Sequence, residues 1–148
     1  MNTQLLSRHT PLAHYGPRRS QVGRRQGRRS AEHPTVLIID DDADFREALA
    51  AVVRGRGYSV EVSSNGVEAL DMLRWGLTPR VILIDMQMRP MTGWEFRAEQ
   101  RQDPRWSTIP VVAMTAGPWK DRDRDDFSHR LEKPLDLEQL TGLLDSYR

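Results

Sequence analysis

Three short, unbroken apolar runs constrain this chain more than anything else in it: Val36-Leu37-Ile38-Ile39, Val81-Ile82-Leu83-Ile84 and Val111-Val112-Ala113-Met114. Runs this short and this rich in β-branched residues read as strands buried on both faces, which is the habit of parallel sheets. Helical patterns separate them. Phe45, Ala48, Leu49, Val52 and Val53 recur at three- and four-residue steps, and Gly55 and Gly57 end that helix. Tyr58 to Ser63 alternates like a half-buried edge strand. Val67, Ala69, Leu70 and Leu73 mark a second helix after Asn65-Gly66, and a third runs from Thr92-Gly93 towards Gln102, before Asp103-Pro104. A weak strand surrounds Leu131, between Arg130 and Glu132. The last helix starts at Asp136, with Gln139 as a capping-box partner and Leu137, Leu140, Leu143, Leu144 and Tyr147 on one face.

Strand–helix alternation of this kind gives an α/β fold, a doubly wound parallel sheet with right-handed crossovers. At 148 residues the chain has room for one such domain with a real core. Its net charge of +1 hides a division. Residues 1–33 hold seven arginines and one acid, so a tail of +6 precedes a remainder of −5. The tail lacks hydrophobic periodicity, and the sequence predicts a disordered basic segment at 1–33 followed by one domain at 34–148. Such a tail is either solvated or an anchor for DNA or an anionic surface. With no cysteine, thiolate chemistry and thiolate metal sites are excluded. No apolar run approaches the roughly 20 residues that span a bilayer, so membrane insertion is not expected. A cytoplasmic location is the expectation.

In open α/β sheets the site lies at the carboxyl ends of the strands. There the sequence places Asp40-Asp41-Asp42 after the first run, Asp85 after the second, Thr115-Ala116 after the third and Lys133-Pro134 before the last helix. Each has an ordinary explanation: a helix cap, a turn, a strand hydroxyl, a surface turn. Jointly they set carboxylates, a hydroxyl and an ammonium along one edge of one sheet. Crowded carboxylates repel unless a cation intervenes, and oxygen ligands without cysteine favour a hard ion such as Mg²⁺. A carboxylate can attack phosphorus to give an aspartyl phosphate, and phosphoryl transfer needs chiefly positioning and charge neutralisation.

On these residues the chain resembles the receiver domains of bacterial two-component response regulators. The motifs are Val-Leu-Ile-Ile-Asp-Asp-Asp at 36–42, Ile-Leu-Ile-Asp-Met at 82–86, Gly93 eight residues after Asp85, Ala-Met-Thr-Ala at 113–116 and Lys-Pro at 133–134. The resemblance implies a flavodoxin-like sheet of five strands in the order 2-1-3-4-5. It implies Asp85 as phosphoacceptor, Thr115 and Lys133 as phosphate contacts, and Mg²⁺ held by Asp40, Asp41, Asp85 and the backbone carbonyl of Gln87. The Lys133–Pro134 bond is expected to be cis. Gln87 and Gly117 would flank the path of the water that releases the phosphate. Three positions depart from the pattern. Arg89 stands where the family has proline, Arg130 where it has an aromatic residue, and only seventeen residues separate Thr115 from Lys133.

The implied function is that of a stand-alone signalling module and not a classical enzyme, since the chain as given leaves no room after Tyr147 for a DNA-binding output domain. Its expected partners are a histidine kinase or histidine phosphotransfer protein and a downstream protein target. A docking domain used without phosphorylation is the competing reading, favoured by Arg130 and opposed by the intact Asp85, Thr115 and Lys133. A nucleotide-binding enzyme is disfavoured, because acids and not a glycine-rich loop follow the first strand. Gly117-Pro118 and the polar stretch from Lys120 to Asp126 predict that the helix between the fourth and fifth strands is reduced to about two turns or less.

Overall fold

In the computed structural model, which describes residues 33–119 and 126–148, each apolar run is a strand with every member buried. The order is β1 (Thr35–Ile39), α1 (Ala43–Gly55), β2 (Ser59–Ser63), α2 (Gly66–Arg74), β3 (Val81–Asp85), α3 (Gly93–Arg101), β4 (Val111–Thr115), β5 (His129–Glu132) and α4 (Leu137–Asp145). The five strands form one parallel sheet in the order β2-β1-β3-β4-β5. The expected disorder of residues 1–33 falls almost wholly outside the described residues, and so does the middle, 120–125, of the segment from Gly117 to Ser128 expected to supply a shortened helix.

Alternate residues of β1, β3 and β4 feed two separate cores. Leu37, Ile39, Ile82, Ile84, Val111 and Ala113 face α2 and α3, where Ala69, Leu70, Leu73 and Phe96 meet them. Val36, Ile38, Val81, Leu83, Val112 and Met114 face α1 and α4, where Leu49, Ala50, Val53, Leu140 and Leu144 cover them. Each fully buried Leu or Ile contributes about 1.5–3 kcal/mol relative to exposure. The sheet is therefore fixed as a rigid plate, and its carboxyl edge is a platform for side chains.

Some details differ from the sequence reading. On α1 it is Ala50, not Ala48, that is buried. On α2, Val67 is exposed and Gly66 lies inside, under Met91. On α4, Leu137 faces solvent. The strand β2 is at the sheet edge as expected, but Ser59 to Val62 are all half-buried and do not alternate. Asp136 caps α4 by accepting from the Gln139 N–H, while the reciprocal capping box forms on α3, between Thr92 and Glu95.

Candidate functional site

The strands carry the expected side chains to one edge. Asp40 directly follows β1, and its N–H donates to the Ser63 carbonyl at 3.1 Å, so the β1–β2 ladder runs one step past the strand. Asp85 ends β3, and Met86 N–H donates to Met114 O at 3.0 Å. Thr115 ends β4, and its carbonyl accepts from the Lys133 N–H at 2.9 Å. Main-chain hydrogen bonds thus set all four positions, independently of any ligand.

Asp40 is fully buried and Asp85 nearly so, while Asp41 is exposed. Carboxylate oxygens of these three residues lie within 4.8 Å of one another. The ammonium of Lys133 sits against them, 2.8 Å from Asp40 Oδ2 and 3.7 Å from Asp85 Oδ1. Asp40 also accepts from the Asp42 N–H at 2.9 Å, and its carbonyl accepts from Arg46 Nη1 at 2.6 Å. Burial pushes the Asp85 carboxyl above the ordinary carboxylate range; the Gln87 N–H and Lys133 hold it down, and the Asp40 and Asp41 charges add to the rise. Three carboxylates against one ammonium leave the cluster short of positive charge. Hard oxygen donors with that deficit fit a divalent ion such as Mg²⁺.

Glycine makes the loop after β3 possible. A Cβ at Gly93 would lie 2.5 Å from Met86 Sδ, 2.9 Å from Met86 Cα and 3.1 Å from Asp85 O, so only glycine lets α3 start against the end of β3. The Gly93 N–H then donates to Met86 O at 3.1 Å. Across the site, Thr115 Oγ1 donates to Gly117 O and accepts from Gly117 N–H, both at 3.1 Å. The Gln87 amide lies where a side chain at 117 would go, with Nε2 3.0 Å from the Cβ position of Gly117.

A family model described as the response regulator receiver domain matches residues 36–145. The chain belongs to that family. Among its relatives is an uncharacterised 14.6 kDa protein of Leptolyngbya boryana, 34% identical over 116 residues, a match covering 76% of this chain and 88% of that protein. The response regulator Rre1 of Synechocystis is 32% identical over 122 residues, covering 77% of this chain but only 51% of Rre1. Among solved structures, the chemotaxis response regulator CheY4 of Vibrio cholerae superposes with a TM-score of 0.69 at 26% identity, over 78% of this chain and 99% of that one. Two-component signalling, and not classical enzyme catalysis, is therefore the setting of this receiver domain.

Asp40, Asp41, Asp85 and Lys133 come together at one edge, with Thr115 at the end of the strand beside Asp85, and the Lys133–Pro134 bond is cis, as is Arg89–Pro90. The departures have their own structure. Arg130 lays its guanidinium 5.7 Å from the centroid of the Trp119 ring and pairs with Glu132. Two neighbours escaped the sequence reading as site residues. Arg46 grips the Asp40 carbonyl, and the Phe45 ring lies beside Lys133. The helical stripe contained Phe45, but nothing local in the sequence joins it to a lysine at 133.

Proposed function

We propose that this receiver domain accepts a phosphoryl group on Asp85 from a phosphohistidine of a histidine kinase or phosphotransfer protein, and relays the signal by phosphotransfer or by binding a protein target. The observation that carries the proposal is the buried Asp40–Asp85 pair with Lys133 bridging it, flanked by Asp41 and Thr115. One Asp85 oxygen attacks phosphorus; its O–P bond forms as the donor's N–P bond breaks, and the imidazole keeps the electron pair and takes up a proton. Asp40, Asp41, Asp85 and the Gln87 carbonyl would hold Mg²⁺, which when bound neutralises charge on the phosphoryl oxygens. Lys133 supplies the second positive charge. The Thr115 hydroxyl, now bonded to Gly117, would turn its proton to a phosphoryl oxygen. Its engagement with Gly117 couples the phosphate to the segment that leads to Trp119.

The test is labelling with a small acyl phosphate in the presence of Mg²⁺. The wild-type protein takes up one acid-stable, base-labile phosphoryl group, and Asp85→Asn takes up none. Labelling of Asp85→Asn at the wild-type level would refute the acceptor assignment.

A further inference from the structure

We propose that Phe45 is a positioning residue for Lys133, holding the ammonium in place by the face of its ring; the inference rests on the role given to Lys133 above. The ammonium lies 4.1 Å from the centroid of the Phe45 ring, inside the range in which a cation is attracted to an aromatic face. The same atom is 2.8 Å from Asp40 Oδ2 and 3.7 Å from Asp85 Oδ1. Three neighbours therefore enclose it: one carboxylate at hydrogen-bond distance, one just beyond, and a ring.

The ring is needed because of how Lys133 arrives. Its backbone is tied to Thr115, but its four-carbon stem rotates freely and its charge is strongly hydrated. Two carboxylates alone would let the ammonium settle fully on either. A π-face attracts the cation but accepts no proton and adds no negative charge to an already acidic cluster. It also excludes water from one side, which strengthens the attraction to both acids. Phe45 is itself well fixed. It lies in the first turn of α1, its N–H donates to the Asp42 carboxylate at 3.1 Å, and its half-buried ring packs on the α1 core. The next residue, Arg46, anchors the Asp40 carbonyl at 2.6 Å. The first turn of α1 thus fixes both Asp40 and the lysine that neutralises it.

The experiment compares wild type, Phe45→Leu and Phe45→Tyr by NMR and by acyl phosphate labelling. In the wild type, ring current shifts the Lys133 ε-methylene protons upfield; Phe45→Leu abolishes the shift and Phe45→Tyr keeps it. Phe45→Leu lowers the maximal labelling rate about three- to tenfold, the size of a partly desolvated cation–π contact. Phe45→Tyr restores the rate, and the Mg²⁺ concentration required is unchanged in both. A melting curve reports any packing loss, which alone would not produce this split between rate and metal requirement. Unshifted Lys133 protons in the wild type overturn the stacking, and a labelled wild type with an unchanged Phe45→Leu rate overturns the positioning role alone. A wild type that takes no label instead overturns the acceptor reading on which the role depends.

Discussion

Replacing Gly93 by alanine should cost stability out of proportion to the single methyl added. The reason is the company that methyl would keep: Met86 Sδ at 2.5 Å, Met86 Cα at 2.9 Å and Asp85 O at 3.1 Å. Two of these atoms are main chain, and the third belongs to a side chain with no exposed surface. None can give way without moving the end of β3 or the start of α3. Overpacking of this kind costs about 1–3 kcal/mol, and Gly93 has no positive φ whose loss would confuse the result. Gly142 is the control. It lies in α4, exposed, with nothing within 4 Å of its Cβ position. There Gly→Ala should stabilise by about 0.5–1 kcal/mol, because helical glycine is penalised. A domain of this size shifts its Tm by roughly 3–5 °C per kcal/mol. Thermal unfolding by circular dichroism should therefore show Gly93→Ala melting several degrees below wild type and Gly142→Ala a few degrees above. The strained Gly93 variant should also label more slowly, since the displaced backbone is that of Asp85 and Met86. A Gly93→Ala protein as stable as wild type, in the same series in which Gly142→Ala is stabilised, would refute the steric reasoning.

The remaining expectations concern charge and water. The raised Asp85 carboxyl means that the folded state holds that proton more tightly than the unfolded chain does, so its contribution to stability is full in acid and is lost as pH rises through the raised value. Asp85→Asn should then melt higher than wild type at neutral pH, with the gap closing towards pH 4; a gap independent of pH would count against burial as the cause. Mg²⁺ should stabilise the wild type by about 1.4 kcal/mol at ten times its dissociation constant, read as a rise in Tm, and Asp41→Ala should need more Mg²⁺ for the same rise; equal titrations would remove Asp41 from the metal set. Gln87→Asn, or a bulky residue at 117 that displaces the Gln87 amide, should change the lifetime of the phosphorylated form without preventing its formation. Phosphate-loss kinetics that match wild type in both series would sink this reading.

The sheet was legible because it depends on runs rather than on single residues. A continuous β-branched run buried on both faces has few alternatives, and the residues after each run had to lie at its carboxyl end. Asp40, Asp85 and Thr115 were therefore placed by the chain's local pattern alone, and Lys133 through the Lys-Pro motif. Helix faces were less legible where alanine or a polar residue takes a core position. Ala48 and Ala50 are chemically alike, and only packing against the sheet chooses Ala50. Gln100 is fully buried, yet no polarity rule points inward there. It is tolerated because its Nε2 donates to Trp106 O at 2.8 Å and to Ile109 O at 3.0 Å, and its Oε1 accepts from Arg97 Nη1 at 2.8 Å. The pairing of Phe45 with Lys133 was hidden for another reason: it joins residues far apart in sequence, and only the assembled sheet brings them together.

The strand that leads to Lys133 is held by little hydrophobic contact. Leu131 is the only buried residue of β5, and the strand stands at the sheet edge. Its remaining hold includes the attraction between the Lys133 ammonium and the acids of β1 and β3. Charge at the site and attachment of the edge are thus two readings of one equilibrium. Removing β5 would strip the acids of their counter-charge, and a cation supplied to the acids from elsewhere would lower what they gain from keeping β5. By reciprocity, whatever loosens that edge must strengthen the appetite of the acids for an outside cation by the same factor. The far margin of the sheet and its chemical centre are in this sense a single balance arm, with Lys133 as the weight that slides between them.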